Sequence, residues 1–460
     1  MEGRATGRVE RGTWGSRIGF LMAAAGSAIG LGNIWRFPYV TGENGGAVFV
    51  LIYVVFVVAI GIPVMIAEFT IGRSTQKNPI GAFEALAPGT HWRWVGVLGV
   101  VTGIGILSFY SVVAGWTVGY FFKTVTGAFS HEISGAESAK IFGQFIGSPG
   151  TSILLLFVFV ALTMYVVAGG IAEGIERWSK VLMPVLFGIL LLLAGYALTL
   201  EGAGKGLEFY LKPDLSKLRA ATFAKALGQA LFSLSLGMGT MITYGSYLSK
   251  KENLAVSAGY VALFDTLIAF LAGLVIFPTL FAMGLNPAGG AGLVFVVLPT
   301  IFGKMPLGTV FGSLFFLLLA LAALTSTISL LEVPVAYLVD EKRWGRRRAV
   351  LFMGTLAFVL GIPSALSQGA VNVLSALPKI GMGFLDLMNA LFGNYSLSIG
   401  SLLIAIFVGY RWGVRAAIRE IEQEGTRFSF AAHWAFLVRF VCPVAVAAIL
   451  SYILVTGQYF

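Results

Sequence analysis

Four carboxylates stand out by where they fall. Glu68, Asp265, Glu332 and Asp386 lie within or beside stretches that are otherwise apolar, where an ionisable group is costly and usually has a task. Asp265 is the sharpest case, because Leu263, Phe264, Leu267 and Ile268 surround it. The alternative for each is a carboxylate paired with a buried donor. Two glycine clusters mark the same territory, GSAIGLGN over residues 26–33 and SLSLGMG over residues 233–239. Glycine costs a helix about 1 kcal/mol against alanine, so such clusters read either as close helix packing or as breaks. A break frees amides that suit a carboxylate. Freed carbonyls, with Asn, Ser and Thr oxygens, suit a hard cation. The run Thr325-Ser326-Thr327 offers more hydroxyl oxygens, although such hydroxyls often bond back to their own helix. A site with both kinds of partner fits a zwitterion bound together with a cation.

The elements that must position these groups are membrane spans. Of 460 residues, 57% are hydrophobic and 11% charged, whereas a soluble domain carries about a quarter charged residues. That excludes a soluble enzyme, a disordered chain and a nucleic-acid binder, despite the net charge of +10. A span needs about 20 apolar residues. Apolar runs at 17–41, 47–72, 94–127, 151–170, 174–200, 222–248, 254–284, 308–340, 347–366, 381–410 and 429–456 predict eleven. The clusters fall in the first and the sixth, matching members of two five-span halves, and paired broken helices in such positions point to a transporter site at the membrane midplane. The fold expected is all-α and polytopic: a tail at 1–16, a first repeat at 17–200, an outer loop at 201–221, a second repeat at 222–411, and a loop with an eleventh span at 412–460. No cleavable signal peptide is read in the basic first seventeen residues, and the tail is expected to be cytoplasmic. The run Lys342, Arg343, Arg346, Arg347, Arg348 supports that orientation through the positive-inside rule; the outer loop with Lys205, Lys212, Lys217 and Arg219 argues against it. One cysteine, Cys442, rules out a disulfide framework and a cysteine-based metal cluster.

With these pieces assembled, the chain resembles the sodium:neurotransmitter symporter family. RIGFLMAAAGSAIGLGNIWRFP at 17–38, ENGG at 43–46, GIP at 61–63, SFYSVVAGW at 108–116, GQALFSLSLGMGTMITYGSY at 228–247 and ALTST at 323–327 carry the resemblance. Its length is similar to bacterial members that carry hydrophobic amino acids. The resemblance implies one sodium site at Ala28, Asn33, Ser233 and Asp265, closed by the substrate carboxylate. It implies a second at Gly26, Ile29, Ala322, Thr325 and Ser326. The substrate carboxylate would meet the amides of Leu31 and Gly32 and the Tyr110 hydroxyl, and its ammonium the carbonyls of Ala28, Phe232 and Ser235. Gly30, Ile106, Phe232, Met238, Ser326 and Leu330 would hold its side chain.

Family members that carry amines place an acid where Gly30 stands, so glycine favours an amino acid. The pocket offers no charge to a substrate side chain, and burying an unpaired charge is costly, so large apolar or aromatic amino acids are expected. Asp265 replaces a common Asn, and its charge predicts independence from chloride. Tyr110, Phe232 and Arg36 would form the outer gate. The usual acidic partner of that arginine is Asn389 here, with Asp386 one turn away as the other acid. Arg11 with Asp340, Trp14 and Tyr247 would form the inner gate. In relatives, spacing like that of Gly174 and Pro184 lets the fifth span unwind toward the second sodium site; the alternative is an ordinary helix start and kink.

The expected activity is sodium-coupled symport by alternating access in a bacterial inner membrane, by a monomer or weak dimer in contact with lipid. An amino-acid sensor or channel on the same fold, and proton coupling, are the alternatives. A membrane hydrolase lacks support, since neither HExxH nor GxSxG occurs and His91, His131 and His433 are isolated.

Overall fold

Apolar runs long enough to cross a bilayer become helices, because only a helix satisfies every backbone group within one segment. The computed structural model describes residues 12–287 and 290–457. Among them, nine helices are long and apolar enough to span: Ala47–Thr75, Arg93–Val125, Pro149–Ala168, Ile171–Thr199, Leu254–Ala282, Gly308–Asp340, Arg346–Leu366, Phe384–Arg411 and Ala431–Thr456. The first span is a bent pair, Arg17–Ala28 and Gly32–Glu43, at 48°. The sixth is too interrupted to qualify by length, with helices Ala220–Ser233 and Thr240–Gly245 on either side of an irregular stretch. All eleven expected segments are therefore present, and the two broken ones are those that carry the glycine clusters. The fifth helical segment begins three residues earlier than its apolar pattern, at Ile171, because Gly170 at φ +89° makes the turn out of the fourth.

Local chemistry sets the breaks. Ser16 caps the first helix, its hydroxyl accepting from the Gly19 amide at 3.0 Å, and the helix stops at Ala28 where Ile29 turns extended. In the sixth segment Gly237 and Gly239 take φ of +79° and +77°, a region closed to most side chains. The third and eighth spans, Arg93–Val125 and Gly308–Asp340, pack against each other over most of their length and are the most buried of the long helices. At roughly 1.5 Å per residue each reaches about 50 Å; the eighth packs along helices of both broken spans, and the third meets the break of the sixth, where Gly99 faces the Gly239 backbone.

Candidate substrate and ion site

The two breaks face each other across a buried cavity. Every residue assigned to the substrate lines it except Leu31, and Ser27 is added. Leu31 stands behind the wall, its amide donating to the Tyr110 hydroxyl at 2.8 Å. A methyl group on Gly30 would overlap Ser326 Oγ and stand 2.6 Å from the Tyr110 hydroxyl, so this position admits no side chain as the neighbours now sit. Ile106, Phe232, Met238 and Leu330 form an apolar end. Ser27, missed from sequence, bonds Ser329 Oγ at 2.7 Å while its carbonyl accepts from Ser235 Oγ at 2.9 Å. It thereby stitches the first, sixth and eighth spans around the cavity.

Asp265 is fully buried beside this cavity. Its carboxylate accepts from Asn33 Nδ2 at 2.7 Å, from Ser233 Oγ at 2.9 Å and from the Tyr53 hydroxyl at 3.0 Å. Asn33 Oδ1 accepts from the Gly30 amide at 3.0 Å, closing the break on itself. Gln229 Nε2 donates to the Gly32 carbonyl at 2.8 Å. Tyr53 and Gln229 had no assigned role; Gln229 lay within a quoted motif, but only the fold shows what it touches. One carboxylate beside the neutral oxygens of Ser233 and Tyr53 matches a singly charged cation, since the pair is neutral once together.

The second group of oxygens carries no charge. Thr325 Oγ1 lies 2.9 Å from the Ala322 carbonyl and 3.2 Å from that of Ile29. Ser326 Oγ lies 3.2 Å from the Ser27 carbonyl and 3.5 Å from that of Ile29. Gly26 packs against Thr325 at a spacing that leaves a methyl group only 3.3 Å from Thr325 Cβ. Each hydroxyl has one proton and two carbonyls in reach. Acceptors outnumber donors, and all are hard and neutral, which suits a monovalent cation better than a divalent one.

The remaining acids brace the site. Glu68, in the second span, accepts from the Gly237 amide at 2.7 Å, and the amides of Met241 and Ile242 face the same group. It satisfies donors that unwinding exposes, each of which would otherwise cost several kcal/mol. Glu332 takes both arms of Arg346, at 3.1 and 2.5 Å, and accepts from the Tyr247 hydroxyl at 2.6 Å. Trp14 packs edge-on to Tyr247 at 6.1 Å and donates to the Tyr244 carbonyl at 3.0 Å. Arg11 lies outside the described residues, so its pairing with Asp340 is not seen; Asp340 accepts from the Asn78 amide at 2.9 Å. Glu176 accepts from the Gly15 amide at 2.6 Å and from Ser16 Oγ at 2.8 Å, and pairs with Lys180 at 2.6 Å. It fastens the start of the first span to the fifth.

At the other end, Tyr110, Phe232 and Gly32 line both the central cavity and an adjoining one that also touches Arg36 and Asn389. The two aromatic residues thus stand as the partition. The Arg36 guanidinium lies 4.7 Å from the centre of the Phe232 ring. Asn389 lines the adjoining cavity, whereas Asp386 accepts from the Gly383 amide at the start of its own helix.

The family model described as "Sodium:neurotransmitter symporter family" matches residues 11–137 and 137–459. The chain belongs to this family. An uncharacterized sodium-dependent transporter, YhdH of Bacillus subtilis, is 42% identical over 94% of this chain and 95% of its own. The sodium-dependent serotonin transporter of Drosophila melanogaster is 30% identical over 90% of this chain and 72% of its own. A crystal structure of MhsT in complex with L-phenylalanine matches at a TM-score of 0.88 and 45% identity, over 96% of this chain and 99% of that one. The symporter is accordingly an integral membrane, sodium-dependent secondary transporter and not an enzyme.

Proposed function

We propose that the symporter carries hydrophobic and aromatic L-amino acids with sodium at two sites, without a chloride requirement, by alternating access. The observation that carries this reading is the central cavity: apolar at one end, lined by no charged side chain, and bounded at the other by the breaks, with Asp265 behind Ser233. The amides of Leu31 and Gly32 and the Tyr110 hydroxyl would take the substrate carboxylate, the Leu31 amide turning from the Tyr110 hydroxyl to do so, and the apolar end its side chain. Sodium would sit at Ala28, Asn33, Ser233 and Asp265, touching the substrate carboxylate. Each would complete the other's site, and that linkage is reciprocal. The second sodium would sit at Gly26, Ile29, Ala322, Thr325 and Ser326. The crystal structure of MhsT, with its L-phenylalanine, supports the substrate class.

In this reading residues 17–200 and 222–411 are the two repeats, Tyr110 and Phe232 close the outer side, and Trp14, Tyr247 and Asp340 the inner. The amino terminus is cytoplasmic, in a bacterial inner membrane. Competition binding across the amino acids, with sodium and with potassium in its place, tests it. Leu, Phe, Tyr and Trp should compete only with sodium present; acidic or basic winners would overturn it. Uptake in gluconate should equal uptake in chloride. Accumulation in proteoliposomes under an imposed sodium gradient separates transport from sensing.

A further inference from the structure

A groove of about 660 Å³ opens where the fourth span passes into the fifth, bordered by the start of the ninth. Glycines make it: a methyl group on Gly174 would overlap the Val166 carbonyl and stand 2.9 Å from the Gly169 backbone, so the two helices touch there backbone to backbone and leave the rim open. Arg177 and Arg347 line that rim. Among the described residues Arg177 pairs only with an exposed Glu173, at 3.9 Å, and Arg347 makes no ion pair. Their neighbour Arg346 is already committed to Glu332. Tyr165 and Trp178 border the same groove, with ring centres 6.4 Å apart. Beyond them Leu162, Val181 and Val185 are exposed.

We propose that this groove binds the headgroup of an anionic phospholipid from the cytoplasmic leaflet. The order of the chemistry matches such a molecule from end to end. Two arginines without a buried acid meet the phosphate, an aromatic pair sits at the depth of the ester linkages, and an apolar wall continues where the acyl chains run. The placement rests on the orientation proposed above, with the basic run at 342–348 inside. Glu173 opposes the anion, which gives the proposal a signature of its own. Each arginine near the headgroup plane contributes roughly a fivefold preference, so the pair gives on the order of 20-fold.

The test uses the full chain in nanodiscs of phosphatidylcholine with a minority of phosphatidylglycerol, with retained lipid counted by native mass spectrometry after extraction. Phosphatidylglycerol should be retained on the order of 20-fold above its bulk fraction. Arg177→Gln with Arg347→Gln should bring retention to the bulk ratio, while Glu173→Gln raises it. Arg415→Gln with Arg419→Gln, exposed basic residues of another connection, should change nothing. Equal retention of the two lipids overturns the proposal. So does an equal loss in the Arg415/Arg419 variant, which would mean diffuse surface charge, or full competition by millimolar inorganic phosphate. If the Arg177/Arg347 variant fails to fold, absence of a gain in Glu173→Gln still refutes it. Lipid retention is read without substrate, so failure here leaves the amino-acid reading standing.

Discussion

Replacing Asp265 by asparagine removes one charge and little else. The carboxylate accepts hydrogen bonds from Asn33, Ser233 and Tyr53. An asparagine with its oxygen toward Asn33 keeps that bond, and its amino group then faces two hydroxyls that can turn to accept. The fold loses at most one neutral hydrogen bond, about 1 kcal/mol. The cation loses a unit charge. At about 4 Å and an effective dielectric constant of about 20, that attraction is roughly 4 kcal/mol. Part is returned, because the variant no longer desolvates a carboxylate. Half to all of it corresponds to a loss of sodium affinity of roughly 30- to 1,000-fold. The assay is a sodium titration of amino-acid binding in gluconate, repeated in chloride. We expect the midpoint to rise at least about 30-fold in gluconate, and to recover in part in chloride, where an anion can accept hydrogen bonds from the Tyr53 and Ser233 hydroxyls. A wild-type midpoint in gluconate would refute the reasoning, since it would mean that the charge of Asp265 does not act on the ion.

Gly30→Ala should weaken amino-acid binding at least tenfold, because the methyl group overlaps Ser326 Oγ and crowds the Tyr110 hydroxyl; isothermal titration with saturating sodium checks it. Thr325→Ala with Ser326→Ala removes both hydroxyls of the neutral oxygen group, and the Hill coefficient for sodium in uptake should fall toward 1. Glu176→Gln keeps the shape but weakens the hold on Gly15 and Ser16 by about 1–2 kcal/mol. Hydrogen exchange of the amides in the first helix should then speed roughly 5- to 30-fold, and unchanged protection there would argue against the fastening. Met238→Trp shrinks the apolar end of the cavity and should shift competition from Trp and Phe toward smaller apolar amino acids.

Much of this was legible because the signals are local. Span boundaries follow from runs of apolar residues, and the breaks at 29–31 and 234–239 fall on the two glycine clusters. Glycine alone does not force a break, since Gly99, Gly103 and Gly105 lie within the unbroken third span; it was the matching places of the clusters in the two halves that pointed to breaks. The residues expected around the substrate came from the resemblance to the family and not from their own spacing, and the structure brings all but Leu31 to one cavity. The bracing roles of Glu68 and Glu176 were not legible, because each depends on a partner far along the chain. Glu68 meets Gly237 across 169 residues, and Glu176 meets Gly15 across 161. Nothing in either neighbourhood distinguishes a brace from a binding group. The outer arginine shows the same limit: Arg36 lies over Phe232, while Asp386, a natural partner by type and spacing, bonds at its own helix start.

The brace at Glu68 bears on the part of a carrier's cycle when nothing is bound. Because a side chain of the second span holds the Gly237 amide, the irregular stretch of the sixth has, within the protein, a partner for a donor that cargo would otherwise have to satisfy. In the proposed cycle a carrier returning without cargo would keep that donor satisfied, and the next amino acid would not have to supply its partner on arrival. Capture then depends on encounter and fit. Mutations that retune the apolar end, at Met238 for instance, can alter what is carried without disturbing the frame that does the carrying.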